Sequence, residues 1–171
     1  MLQSIDNDLL QAVLDSWDRN NRIVVNLLRA VPPGCHDARV VATSPSVIEM
    51  FAHMIYVRLI FVSEDAPERA GPLDPRNWLR ETDPERLAAG LDSSARAVRN
   101  AVEDRLRSGQ PMQRHYDHPL LFLQHMIWHE GYHHGQIKLA LKVVGQPFED
   151  KRIGPLTWSI WIKKTEGASL R

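Results

Sequence analysis

The chain predicts an all-α fold, a four-helix bundle in one domain spanning residues 1–171, and three observations carry that expectation. Apolar residues recur at three- and four-residue steps over long stretches. Each stretch is bounded by capping residues and by Pro or Gly. No pair of alternating runs reads as strands, and there is no internal repeat or low-complexity tract. Two of the expected helices are apolar on most sides yet carry histidines. Bundles build metal sites between facing helices from side chains that point inward.

The first helix is expected from about Asp6 to Ala30. Leu10, Leu14, Trp17, Val24 and Leu28 form its apolar stripe, and Asn21 interrupts that stripe where Leu or Val belongs. Asp6 can cap its start, and Pro32-Pro33-Gly34 ends it. A loop follows through Thr43. Ser46 and Glu49 then have capping-box spacing at the head of a second helix, which runs roughly to Ser63. That helix is almost wholly apolar, from Val47 and Ile48 to Ile60 and Phe61, with His53 in its middle. A helix apolar on most sides is a buried one.

Residues 64–81 are polar and rich in Pro and Gly, and predict a long connection with a short helical turn near Trp78. Connections of this length are often functional, so this one is expected to border the site. Thr82-Asp83-Pro84-Glu85 reads as a second capping box. The third helix, to about Arg107, carries the stripe Leu87, Leu91, Ala95, Val98, Val102 and Leu106, and Ser108-Gly109-Gln110-Pro111 stops it. After a polar link, Pro119 starts the fourth helix, and Gly145 with Pro147 ends it. The tail holds Leu156, Trp158, Ile160, Trp161 and Ile162. It is too apolar for a disordered end and is expected to dock as a short C-terminal segment.

Composition narrows the function. With 21 basic and 21 acidic residues the formal charge is zero, so no basic surface offers itself to a phosphate backbone, and nucleic acid is not expected as a partner. The single cysteine, Cys35, precludes an internal disulfide and fits a reducing compartment. The first residues lack a basic region followed by a long apolar run, and no stretch is long and apolar enough for a bilayer. A cytoplasmic protein is expected. Of its 8 histidines, His125, His129, His133 and His134 fall within one short stretch.

On the fourth helix His125, His129 and His133 stand one turn apart on one face, with Gln136 beside them. Imidazoles one turn apart can share a metal ion, and His129 and His133 supply two ligands. His53 is the candidate for the third. Three neutral imidazoles leave a position open on a divalent ion, which marks a catalytic rather than a structural site. His125 is read as a fourth ligand or a hydrogen-bonding neighbour, His134 as a residue at the bundle rim. Gln136 and Tyr132 are candidates for holding a ligand or a substrate group. Glu49, one turn before His53, is read first as a cap and second as a group orienting that ring.

The same residues spell a rival. His129-Glu130-Gly131-Tyr132-His133 matches H-E-x-x-H, the zinc-protease signature in which the glutamate is the general base. The match is short, Gln136 stands where the longer form has Gly, no histidine follows His134, and Glu149 falls past the helix end. A protease is therefore disfavoured. Cys35 has His36 beside it, but sequence neighbours do not make a catalytic pair, and a loosely packed thiol is expected.

The segment His129-x-x-x-His133-His134-Gly135-Gln136 late in a fourth helix, with a lone histidine in the second, resembles the DinB/YfiT-like superfamily. The likeness extends to the helix lengths, the long connection between helices 2 and 3 and the Trp-bearing tail. It implies a bundle, often dimeric, that binds a divalent ion such as Zn²⁺ or Ni²⁺ through His53, His129 and His133. Many members have Arg where this chain has His134. The resemblance does not imply DNA binding. Characterised relatives include thiol-dependent transferases and isomerases that use bacillithiol or mycothiol. The expected function is therefore a metal-dependent transferase in which a low-molecular-weight thiol, made more acidic by the ion, attacks an electrophile. His125, Tyr132 or Gln136 would position groups around it. The alternatives are hydrolysis by a metal-bound hydroxide, or a non-catalytic metal- or ligand-binding bundle.

Overall fold

The computed structural model describes residues 7–72 and 74–162. Four long helices build it: α1 (Asn7–Ala30), α2 (Val47–Asp65), α3 (Pro84–Ser108) and α4 (Pro119–Val143). Among the described residues there is no strand. The expected Asp6 cap lies outside them.

Caps fix where each helix starts. Ser46 and Glu49 form the expected capping box, with Glu49 accepting from the Ser46 N–H at 2.7 Å. Arg39 pairs with the same carboxylate. Its hydrogen bond, with that from Ser46, holds the Glu49 carboxyl down to about 2. Glu49 is thus a cap and does not orient His53. The head of α3 departs from expectation. Asp83, not Thr82, is the cap and accepts from Glu85 N–H at 2.9 Å, because Pro84 occupies the first helical position. The reciprocal carboxylate comes from upstream, where Glu81 accepts from the N–H groups of Thr82 and Asp83. His118 caps α4 through its ring Nδ1, which accepts from Leu120 N–H at 3.2 Å. Gly109, at φ 68°, closes α3 in the left-handed conformation.

Paired contacts give the directions. Asn7, Trp17, Asp18 and Asn21 on α1 meet Arg107, Ala95, Arg99 and Asp92 on α3, so these helices are antiparallel. Arg58 and Asp65 on α2 meet Leu91 and Arg105 on α3, so these are parallel. His53 and Phe61 on α2 meet His129 and Phe122 on α4, again antiparallel. The order is up, down, down, up. A parallel α2–α3 pair obliges the chain to travel back the length of a helix, about 28 Å for 19 residues. This is the physical reason for the long connection at residues 66–83.

That connection carries two short 3₁₀ turns, Pro67–Arg69 and Pro75–Arg80, the second containing Trp78 as expected. It lies against α2 and α3, however, and not beside the histidines. With those helices it walls a cavity of about 280 Å³ lined by Leu59, Ser63, Trp78, Ser93 and Ala97 among others. Trp78 is seated over Gly90, where an added Cβ would lie 2.5 Å from its ring and 2.9 Å from Ile55 Cδ1. Helix propensity alone would make Gly90→Ala stabilising by about 1 kcal/mol. The collision with ring and Ile55 should instead destabilise by roughly 1–3 kcal/mol. Urea unfolding would show a lower midpoint at unchanged slope, and a raised midpoint would contradict this packing.

The tail docks on α1. Ile153 and Ile160 are buried, Arg19 donates to the Ile160 carbonyl, and Asn26 donates to that of Leu156 at 2.8 Å. Trp158, Trp161 and Ile162 remain exposed.

The core has two apolar clusters. One holds Val24, Leu28, Phe51, Ile55, Leu87, Leu91, Ile137 and Leu141. The other holds Leu10, Leu14, Trp17, Val62, Val98, Val102, Phe122 and Met126. Residue numbers on every helix place one buried polar layer between them: Asn20 on α1, Arg58 on α2, Ser94 on α3 and Glu130 on α4. The histidine site sits beside this layer.

Candidate metal centre

His53 comes from the middle of α2, and His129 and His133 from successive turns of α4. The antiparallel packing turns all three rings into one space. His129 Nε2 lies 3.3 Å from His53 Nε2 and 3.1 Å from His133 Nε2. One ligand atom from each of the three lies within 4.8 Å of the others. Two nitrogens that each sit about 2.0–2.1 Å from a tetrahedral ion are about 3.3 Å apart, so these separations fit a shared divalent cation. The rings are half-buried, which leaves one side of the cluster approachable.

The hydrogen bonds around the cluster suit that use. His133 Nδ1 lies 2.7 Å from Gln136 Oε1, and a carbonyl oxygen only accepts, so the proton is on Nδ1 and the Nε2 lone pair faces the cluster. Gln136 is oriented in turn by its amide, which donates to the Tyr132 hydroxyl at 2.9 Å. His129 Nδ1 is buried without a hydrogen-bond partner among the described residues, so packing rather than a bond sets that ring.

His125 is not part of the cluster. Its ring centroid lies 6.3 Å from that of His129, and its Nδ1 is 2.7 Å from the Tyr116 hydroxyl. Burial first, and then the Asp65 charge, raises the Tyr116 pKa, so this phenol stays protonated. Tyr116 comes from the link between α3 and α4, which is the connection that borders the site. Asp65 pins that link by accepting from the N–H groups of Arg114 and His115, both at 2.8 Å.

The H-E-x-x-H reading fails on geometry. The Glu130 carboxylate is held in the core by Arg58, with Nε to Oε1 at 2.6 Å and Nη2 to Oε2 at 2.9 Å, and Asn20 donates to Oε2 at 2.5 Å. Both partners are essentially without solvent exposure, at 0% and 1%. A carboxylate held this way is no general base for the cluster. Cys35 and His36 lie on the α1–α2 loop outside it, and Cys35 is half-buried against the core rather than loose.

Burial shapes the titration of the site. It lowers His53, His133 and His134, and with the neighbouring His133 and His53 it takes His129 down to about 3. The cluster therefore presents neutral, ligating imidazoles at neutral pH. The sign for stability follows. Unfolded histidines take up protons near 6.5, while the folded ones resist until lower pH, so stability is full above about 6.5 and falls as pH drops from there toward the folded values. The melting temperature of chelator-treated protein should fall between pH 7 and pH 5, and less so in His129→Gln. A profile that is flat, or equally steep in the variant, would contradict this origin.

The DinB family model matches residues 1–150, which include His53, His129 and His133. The chain belongs to the DinB family. Comparisons with curated proteins and with solved structures gave no match. The helical-bundle fold is thus that of the DinB family, and in this DinB protein three histidines are placed so that they can hold a metal ion. Among the described residues no helix is long and apolar enough to cross a membrane.

Sequence reasoning missed the buried ring of polar groups behind the DinB histidines. Two signals could have found it: Arg58 is a lone charge in the apolar run Met50–Val62, and Asn21 breaks the α1 stripe. Asn21 accepts from Arg58 at 2.9 Å and donates to Asp92 at 2.8 Å. Trp17 lies with its ring 4.8 Å from the Arg58 guanidinium carbon.

Proposed function

We propose that the protein is a metal-dependent enzyme of the thiol-transferase type, with Zn²⁺ or Ni²⁺ held by His53, His129 and His133. The convergence of the three Nε2 atoms on one half-open space carries the reading. A bound divalent ion would supply Lewis acidity, lowering the pKa of a thiol brought to it. The chain's own groups supply the rest. Gln136 keeps the His133 proton on Nδ1. With the Tyr116 phenol oxygen accepting from His125 Nδ1–H, the His125 Nε2 lone pair is free to take the thiol proton. Tyr132, exposed and bonded to Gln136, can hold a polar group of the substrate. The sulfur lone pair forms the new bond to the electrophilic atom, and the leaving group departs with the bonding pair.

The substrates proposed are a low-molecular-weight thiol and a small electrophile, and the location proposed is the cytoplasm. A homodimer is also proposed. It is supported by the exposed apolar side of α4, where Leu121, Trp128, Tyr132, Leu139 and Val143 line up at helical spacing. Hydrolysis by a metal-activated water uses the same open side and is the second reading.

The test is a screen of the Zn²⁺- and Ni²⁺-loaded protein with low-molecular-weight thiols against alkyl halides and epoxides. Thiol-dependent loss of the electrophile, absent with chelator and in His53→Ala, is the expected result. Thiol-independent ester cleavage would select the hydrolase. A metal-linked rise in stability with no turnover would select a binding bundle.

A further inference from the structure

The apolar pattern of this chain does not by itself orient α2 and α4. Both are apolar on most sides, so hydrophobic burial tolerates more than one rotation about their axes and more than one axial setting. The three histidines, however, converge only in one setting. Turning α4 by a few tens of degrees, or sliding it by one turn of about 5.4 Å, takes at least one of His129 and His133 away from His53. Some other interaction must choose.

The buried polar layer has the form of such a selector. Arg58 stands five positions after His53 on α2, and Glu130 directly follows His129 on α4. Their two-point contact, at 2.6 and 2.9 Å, joins the same two helices that carry the site. The guanidinium is planar and its donors are fixed in a fork, so two parallel bonds set angle as well as distance. The rest of the fork is spoken for from two other helices, by Leu91 O at 2.7 Å on α3 and by Asn21 Oδ1 at 2.9 Å on α1. Asn20 on α1 holds the second carboxylate oxygen. Any other rotation of α4 takes the Glu130 carboxylate away from Arg58 and Asn20 and leaves the buried guanidinium without its counter-charge.

We propose that the buried Arg58–Glu130 pair is a positioning device that sets the register of α4 on α2 and thereby brings His129 and His133 onto His53. The inference rests on the metal-site reading above and adds residues that no ligand-set argument includes. Neither residue touches the site's open space. They act through the helices, as polar groups that specify register do in coiled coils.

Removing one partner would strand a charge, so the test removes both. In Arg58→Met/Glu130→Leu the pair is replaced by apolar side chains of similar volume, and such exchanges often preserve folding. Zn²⁺ affinity is read by competition with a chromophoric chelator, and ligand geometry by the visible absorption of the Co²⁺ form. The expected result is a cooperative melt retained, with Zn²⁺ bound about 10- to 100-fold more weakly, the range seen when outer supports of metal ligands are lost. Val102→Ala, in the far apolar cluster, should lower the melting temperature and leave Zn²⁺ affinity unchanged. Wild-type affinity and an unchanged Co²⁺ spectrum in the double variant would overturn the proposal while leaving the metal site standing. Failure of the wild type to bind either ion would instead remove the metal reading and this inference with it. If the double variant does not fold, Arg58→Lys carries the test, since a lysine keeps the charge without the fork. Weakened Zn²⁺ binding in that folded variant supports the proposal, and unchanged binding overturns it.

Discussion

Arg58→Ala should destabilise the protein by about 3–5 kcal/mol, the usual consequence of leaving one member of a buried ion pair alone. Glu130 would be left in the core with only Asn20 as donor, and Asn21 and the Leu91 carbonyl would each lose a partner. The guanidinium also lies over the Trp17 ring, so packing is lost with the charge. For a chain of this size the loss corresponds to a fall of roughly 10 °C in melting temperature. Calorimetry or thermal circular dichroism would read it. A shift under about 2 °C would mean that the pair is solvated rather than buried as described. The surface pairs provide the contrast. Arg107 with Glu103 is exposed on one side and joins neighbouring turns of α3, and its removal should cost no more than about 0.5 kcal/mol.

The second large effect concerns the ion. At a free Zn²⁺ concentration about 100 times its dissociation constant, binding to the folded chain alone adds about 2.7 kcal/mol, which should raise the melting temperature by roughly 5–10 °C. His129 is the ring common to both short nitrogen contacts. His129→Ala should abolish this stabilisation, weakening Zn²⁺ by more than the roughly 100-fold that loss of an outer support costs. His125→Ala, outside the cluster and bonded to Tyr116, should keep most of it. The opposite ranking of these two variants would move the ligand set along α4 by one turn.

The fold was legible because its causes are local. The α1 and α3 stripes, the Ser46–Glu49 box and the Pro and Gly breaks each act within a few residues, and the helices follow them. The His129–His133 spacing was legible for the same reason, as one helical turn. His53 needed more, a lone polar ring in an apolar helix read together with a two-histidine helix, and the DinB likeness agreed with that pairing. What stayed hidden is long-range. Nothing near Glu130 in sequence distinguishes a general base from a core ion-pair partner, since its role depends on Arg58, 72 positions away. The H-E-x-x-H string was therefore uninformative. The long connection was read as a border of the site from its length alone. Its length instead reflects the parallel course of α2 and α3, which no local pattern encodes. Tyr116 was missed because it acts from a polar link, where periodicity says nothing.

The central claim is that His53, His129 and His133 together hold one divalent ion. Its most direct test is elemental analysis of untagged protein, exposed to Zn²⁺ and then desalted, for the wild type and for His53→Ala. About one ion per chain is expected in the wild type and its loss in the variant, with the helical content of both unchanged. An ion retained without His53, or none in the wild type, would contradict it.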